Sequence, residues 1–133
     1  MGLDMYARSV KAEVLGDQQI GFHFNQLVDR ADADFNGDMA YWRKFNHLHG
    51  WMENLYIEKG GMAVFNCEAV RLMPQDIDRL ERDMAAGNLR HTPGFFFGDD
   101  AIHPEDWRAL RKFIADARAE FAKGRAVLYD SWW

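Results

Sequence analysis

Apolar and polar residues alternate loosely through Leu3-Asp4-Met5-Tyr6-Ala7-Arg8, which predicts a half-buried strand. Further on the period lengthens. Wound at roughly 100° per residue, Tyr41, Phe45, Leu48, Met52, Leu55 and Tyr56 fall in one arc, with Trp51 just beside it. This predicts a helix from Met39 to Ile57, capped by Asp38 after the Asn36-Gly37 turn and closed by Gly60-Gly61. Residues 16 to 37 carry no single period: Phe22-His23-Phe24 reads as a short strand and Asn25 to Arg30 as a helical turn. Val64, Phe65 and Val70 make Met62 to Leu72 a strand. Pro74 opens a second helix, with Ile77, Leu80 and Met84 on one face and Gly87 as its stop. Pro104 opens a third, with Trp107, Leu110, Phe113, Ile114, Ala117 and Phe121 on one face and Gly124 as C-cap. Ala126 to Trp133 closes the chain as a strand. The order β-α-β-α-α-β excludes a plain alternating parallel sheet. It predicts a single α+β domain over residues 1–133, three helices packed on a small, mostly antiparallel sheet.

Composition narrows the possible partners. With 48% hydrophobic and 14% aromatic residues, the 133-residue chain is no disordered polymer. A formal charge of −5 lacks the basic footprint of non-specific nucleic-acid binding, and nowhere do five or six basic residues cluster. The lone Cys67 excludes an internal disulfide and a cysteine-based zinc site, and is expected as a small core residue. No apolar run approaches the roughly 18–20 residues of a membrane span, and Met1-Gly2-Leu3-Asp4-Met5-Tyr6 has no basic leader. A cytoplasmic protein without membrane contact, metal or cofactor is expected.

Four motifs carry candidate chemistry. Asp32-Ala33-Asp34-Phe35-Asn36-Gly37-Asp38 opens like a calcium loop, but the twelfth position, where a bidentate glutamate belongs, is Arg43. A turn and cap explain it. Trp42, Asn46, His49 and Glu53 recur at i, i+4, i+7 and i+11, a stripe bordering the apolar arc of the predicted helix. His49 and Glu53, one turn apart, suit an imidazole–carboxylate pair that would raise the histidine pKa. Either the stripe is a boundary anchored by tryptophan, or it lines a ligand site closed by Asp4 and Tyr6 or by the 94–98 loop. His47 lies about 200° round the helix from His49, so the two make no metal pair there. Arg43 is expected on the solvent side and Lys44 beside Trp51, over which it could snorkel, with a surface salt bridge the default for both.

Gly94-Phe95-Phe96-Phe97-Gly98 reads as a short, doubly buried strand between turns, with Asp99 and Asp100 in turn or capping roles. In the closing strand, Trp132 and Trp133 must point to opposite faces, one into the core and one out as a possible partner surface. Ser9, Thr92 and Ser131 are the only hydroxyl residues besides tyrosine, and none sits in a nucleophile elbow.

The Met1–Tyr6 start, the block Tyr41-Trp42-Arg43-Lys44 with Asn46, His49 and Trp51, the Gly94–Gly98 run and the Ser131-Trp132 ending occur here in one order. Together they resemble a family of small phage and prophage proteins of uncharacterised function. The resemblance implies a phage or prophage source and life in the cytoplasm of an infected bacterium, but carries no catalytic residue with it. Without a complete catalytic set, binding is favoured over catalysis. The expected role is an accessory protein that binds a host or phage macromolecule, a protein partner being expected and not nucleic acid, in counter-defence for example. The alternatives are a homodimer, or a small-ligand site or enzyme built on Trp42, Asn46, His49 and Glu53.

Overall fold

The computed structural model describes residues 2–94 and 97–133. Four strands, β1 (Asp4–Lys11), β2 (Asn36–Arg43), β3 (Val70–Leu72) and β4 (Arg125–Trp132), form an antiparallel sheet in the order β2-β1-β4-β3. The helices are α1 (Phe24–Asp29), α2 (Asn46–Glu58), α3 (Pro74–Ala85) and α4 (Pro104–Ala122). The fold is α+β. The expected three helices are α2, α3 and α4, joined by the short α1.

Three expectations are corrected. The first five residues of the predicted Met39–Ile57 helix belong to strand β2, so Asp38 caps nothing; its N–H is instead held by the Asn36 side chain at 3.0 Å. Most of Met62–Leu72 is irregular, with only Val70–Leu72 paired as a strand. Phe22 and His23 form no strand, and Phe24 is the first residue of α1.

Local chemistry explains where the long helices begin and end. Pro74 sits in the first turn of α3, and the Asp76 carboxylate accepts the Met73 N–H at 2.8 Å, satisfying a backbone donor that the helix leaves open. Pro104, Glu105 and Asp106 start α4, where acidic groups complement the helix dipole. Gly124 ends it at φ 76°, a conformation that costs glycine little.

Pleating and register sort the sheet into two faces. Met5, Ala7, Trp42, Val70, Leu72, Val127 and Tyr129 face α2, α3 and α4, and form the main core with Phe45, Leu48, Met52, Ile77, Leu80, Leu110 and Phe113. On the opposite face, Val10, Ala126 and Leu128 are covered by Leu15, Leu27, Phe22, Phe24 and Phe35 from the 12–35 segment. That cover extends over only half of the outer face. Gln19 and Ile20 run along β3 and occupy its free edge, the Arg71 N–H donating to the Gln19 carbonyl at 2.9 Å.

Candidate functional site

The sheet divides the candidate residues into two groups. On its inner side Asn46, His49 and Glu53 are carried by α2, whereas Trp42 belongs to β2 and is buried against Phe113 at 5.1 Å. The expected four-residue helical stripe therefore loses its first member to the core.

Asn46 is a brace. Buried at the first turn of α2, its amide nitrogen donates to the carbonyls of Phe97 (3.2 Å) and Asp99 (2.7 Å), and its oxygen accepts the Thr92 N–H at 2.9 Å. Both amide donors are consumed in tying the 92–99 loop to the helix, which leaves no donor for a ligand.

His49, 1% exposed, shares a 2.8 Å hydrogen bond between Nδ1 and the Tyr129 hydroxyl and is surrounded by Phe65, Phe97 and Tyr129. It forms no hydrogen bond with Glu53, and its pKa moves opposite to expectation. Burial disfavours the imidazolium and lowers the pKa to about 4. The same burial raises the Tyr129 phenol. His49 is thus a neutral ring in an aromatic cluster.

Glu53 lies at the wall of a cavity of about 470 Å³, together with Ala63, Val64, Phe65, Thr92, Pro93, Gly94, Phe97 and Trp133. Trp133 packs against the main core and donates its indole N–H to the Phe65 carbonyl at 3.0 Å. Gly94 and Phe97 of the 94–98 loop line this cavity beside Glu53, whereas Trp42, Asn46 and His49 do not. Phe95 and Phe96, with the doubly buried strand expected there, lie outside the described residues; Phe97 is buried in a bend and not in a strand.

On the outer side, three candidates meet on the uncovered half of the sheet. Register places Arg43, Asp4 and Trp132 in one row across β2, β1 and β4, and Tyr41, Tyr6 and Asp130 in the next. The Tyr6 and Tyr41 rings lie 5.4 Å apart, and the Arg8 guanidinium sits 4.5 Å over Tyr6. Asp4 accepts the Tyr41 hydroxyl at 2.6 Å and Arg43 at 3.1 Å; Arg8 pairs with Asp130 at 2.9 Å. Burial raises the Asp130 carboxyl pKa against the pull of Arg8. Trp132 is 66% exposed and Tyr41 54%. The terminal tryptophans do point opposite ways, Trp133 toward the core and Trp132 outward. Asp4 and Tyr6 lie across the sheet from His49 and close no site around it.

Other expectations resolve by contact. Cys67 is exposed at φ 59°, its N–H on the Ser131 carbonyl, and is not a core residue. Lys44 abuts Gly98, and the cation over Trp51 is Arg79, at 5.4 Å. Arg43 is on the surface in the expected salt bridge, with Asp4. Asp32 pairs with Arg30 and Asp34 with Arg125, so two of the three carboxylates of the calcium-like segment are engaged by arginines. Asp99 accepts the Ala101 N–H in a turn. Sequence reasoning missed Tyr41 and Arg43 as platform residues because it wound them into a helix. The signal was available: Ala40 and Trp42 alternate with Tyr41 and Arg43, as a strand requires.

Comparison with family models, with curated protein sequences and with solved structures finds no match for this chain. Among the described residues, no helix is long and apolar enough to cross a membrane.

Proposed function

We propose that this protein works by docking a folded protein partner on the uncovered half of its outer sheet face, with Trp132, Tyr41 and Tyr6 as anchors. The observation that carries this reading is an aromatic surface whose charges are already matched. Tryptophan, tyrosine and arginine dominate the energetics of protein interfaces when they are desolvated. Here the two arginines, Arg8 and Arg43, face two aspartates, Asp130 and Asp4. A phosphate backbone would meet no uncompensated cation in this patch, which favours protein over nucleic acid. Tyr41, Arg43 and Arg8 are also held by their bonds to Asp4 and Asp130, so these side chains have little conformational freedom left to lose on docking. With the resemblance to phage and prophage proteins, the partner is a host or phage protein in an infected bacterium. Counter-defence is one role such binding would serve.

Affinity purification of the tagged protein from a bacterial host is expected to recover one partner in stoichiometric amount. Changing Trp132→Ala together with Tyr41→Ala should weaken that complex by at least about 30-fold, the loss of one strong interface anchor. Arg111→Ala, an exposed change on α4, should leave it intact. Retention of the partner by the double variant overturns the reading. So does recovery of nucleic acid, or of a second copy of this chain alone.

A further inference from the structure

We infer that the free edge of β2 docks an extended peptide segment, which pairs with it as an added antiparallel strand and turns basic side chains toward the first turn of α4. This edge is a different surface from the outer sheet face, and the inference does not rest on the docking proposed there.

The backbone sets the first requirement. The Lys44 N–H donates to the Leu3 carbonyl at 2.8 Å, which fixes the phase of the ladder between β1 and β2. Trp42 therefore bonds Met5 and Ala40 bonds Ala7, whereas Tyr41 and Arg43, opposite Tyr6 and Asp4, turn their N–H and C=O groups away from β1. β2 is the outermost strand, and among the described residues no hydrogen bond reaches those groups from the other side. The opposite edge of the sheet is occupied by Gln19 and Ile20, but β2 has neither a proline nor a lysine to discourage pairing. Only another extended backbone supplies donors and acceptors at this alternating spacing.

The surroundings of the edge select the side chains. A groove of about 490 Å³ runs along it, with Tyr41, Trp42 and Lys44 in one wall and Glu105, Asp106 and Ala109 of α4 in the other. Its charges are unequal. Arg43 is bound to Asp4, and Asp99 stands 3.6 Å from His103, which leaves Lys44 alone against Glu105 and Asp106. Burial raises the Asp106 carboxyl, a cost that a neighbouring cation would offset. Trp42, 3% exposed, lines the groove, and its indole N–H has no acceptor among the described residues. A peptide carbonyl would meet that donor, whose burial unpaired costs free energy. A second copy of β2 fits less well. By strand alternation its side chains on the α4 side are Asp38, Ala40 and Trp42, with no base among them.

The test uses the full chain and a blocked hexapeptide alternating threonine and lysine. With its lysines toward α4, an antiparallel strand turns its threonine amides to β2. Two isomers of equal charge carry N-methyl groups, one on every threonine and the other on every lysine. In an NMR titration the unmodified peptide is expected to saturate, and to slow exchange of the Tyr41 and Arg43 amides. The threonine-methylated isomer should bind at least about ten-fold more weakly than the lysine-methylated one, through the loss of backbone hydrogen bonds. Glu105→Lys, an exposed change, should weaken the unmodified peptide at least about three-fold. Equal affinity of the isomers, unaltered exchange at Tyr41 and Arg43, or undiminished binding by Glu105→Lys overturns the assignment. So does a sedimentation mass of two chains before peptide is added, with those amides already protected, since a second copy then holds the edge.

Discussion

His49 shows how an environment assembled from distant parts of the chain overrides a local pair. On α2 its neighbour one turn away is Glu53, and that proximity predicts a raised pKa. Folding instead places it against Tyr129, contributed by β4, and among Phe65 and Phe97. Desolvation then dominates and the pKa falls from 6.5 to about 4. The sign of the stability effect follows from proton counting. Between these two values the unfolded chain holds a proton that the folded chain lacks, so acid favours unfolding. The contribution is fully present above about 6.5 and is lost as the pH falls through about 4. Between pH 7.5 and 4.5 it amounts to roughly 2–3 kcal/mol. Urea denaturation at the two pH values should show His49→Gln losing less stability on acidification than the wild type, by about that amount. Asp130 and Asp106, whose carboxyls burial raises, act in the opposite direction but are common to both chains and cancel in the difference. Equal pH slopes would mean that folding does not hold the His49 imidazole neutral.

Among the elements, the boundary between β2 and α2 is where the sequence was least legible. Tyr41, Phe45 and Leu48 do fall on one helical arc, yet the backbone breaks at Lys44, which adopts φ 56° without being glycine. No proline or glycine marks the break. Phe45 occupies the N-cap position without a polar side chain, so α2 lacks the usual start signal too. What holds the turn is tertiary: Gly98 approaches so closely that a Cβ there would meet the Lys44 carbonyl oxygen at 2.8 Å. By contrast α3 and α4 were legible at both ends, because prolines open them and glycines follow their close, chemistry that acts locally. Gly50 marks a second crossing. A Cβ at this position would come within 1.9 Å of Thr92 Oγ1, where the loop pinned by Asn46 passes over the helix. Gly50→Ala should therefore destabilise the fold by about 1–3 kcal/mol through overpacking. Thr92→Gly removes the obstructing side chain while keeping the N–H that Asn46 accepts. In a thermal or urea double-mutant cycle the two changes should couple by at least about 1 kcal/mol, the double variant recovering part of the loss. Strict additivity would mean that the loop does not rest on Gly50.

For the whole molecule, the two covers of the sheet are unequal. The inner layer of α2, α3 and α4 buries a continuous core running from Leu3 to Tyr129, whereas the outer layer contributes chiefly Leu15 and Leu27, assisted by half-buried phenylalanines. Its ties to the sheet also reach the surface: Arg125 bonds Asp34 at 3.0 Å and the Asp34 carbonyl at 2.6 Å, but the Asp34 side chain is 70% exposed. Local stability follows the buried apolar contacts that opening would break, so the outer layer should open without the inner one. Native-state hydrogen exchange should place the amides of Phe24–Asp29 several kcal/mol below those of the paired β1 and β4 strands, with a weaker urea dependence because less surface is exposed. Uniform protection across both layers would show that the cover and the core unfold as one unit. The same measurement bears on docking. Tyr6, Tyr41 and Trp132 are displayed by strands whose other face belongs to the main core, so the platform should keep its geometry even while the 12–35 layer is open. Partner binding should then protect amides of Met39–Arg43 without raising those of α1, whereas a rise in both would extend the interface onto the outer layer.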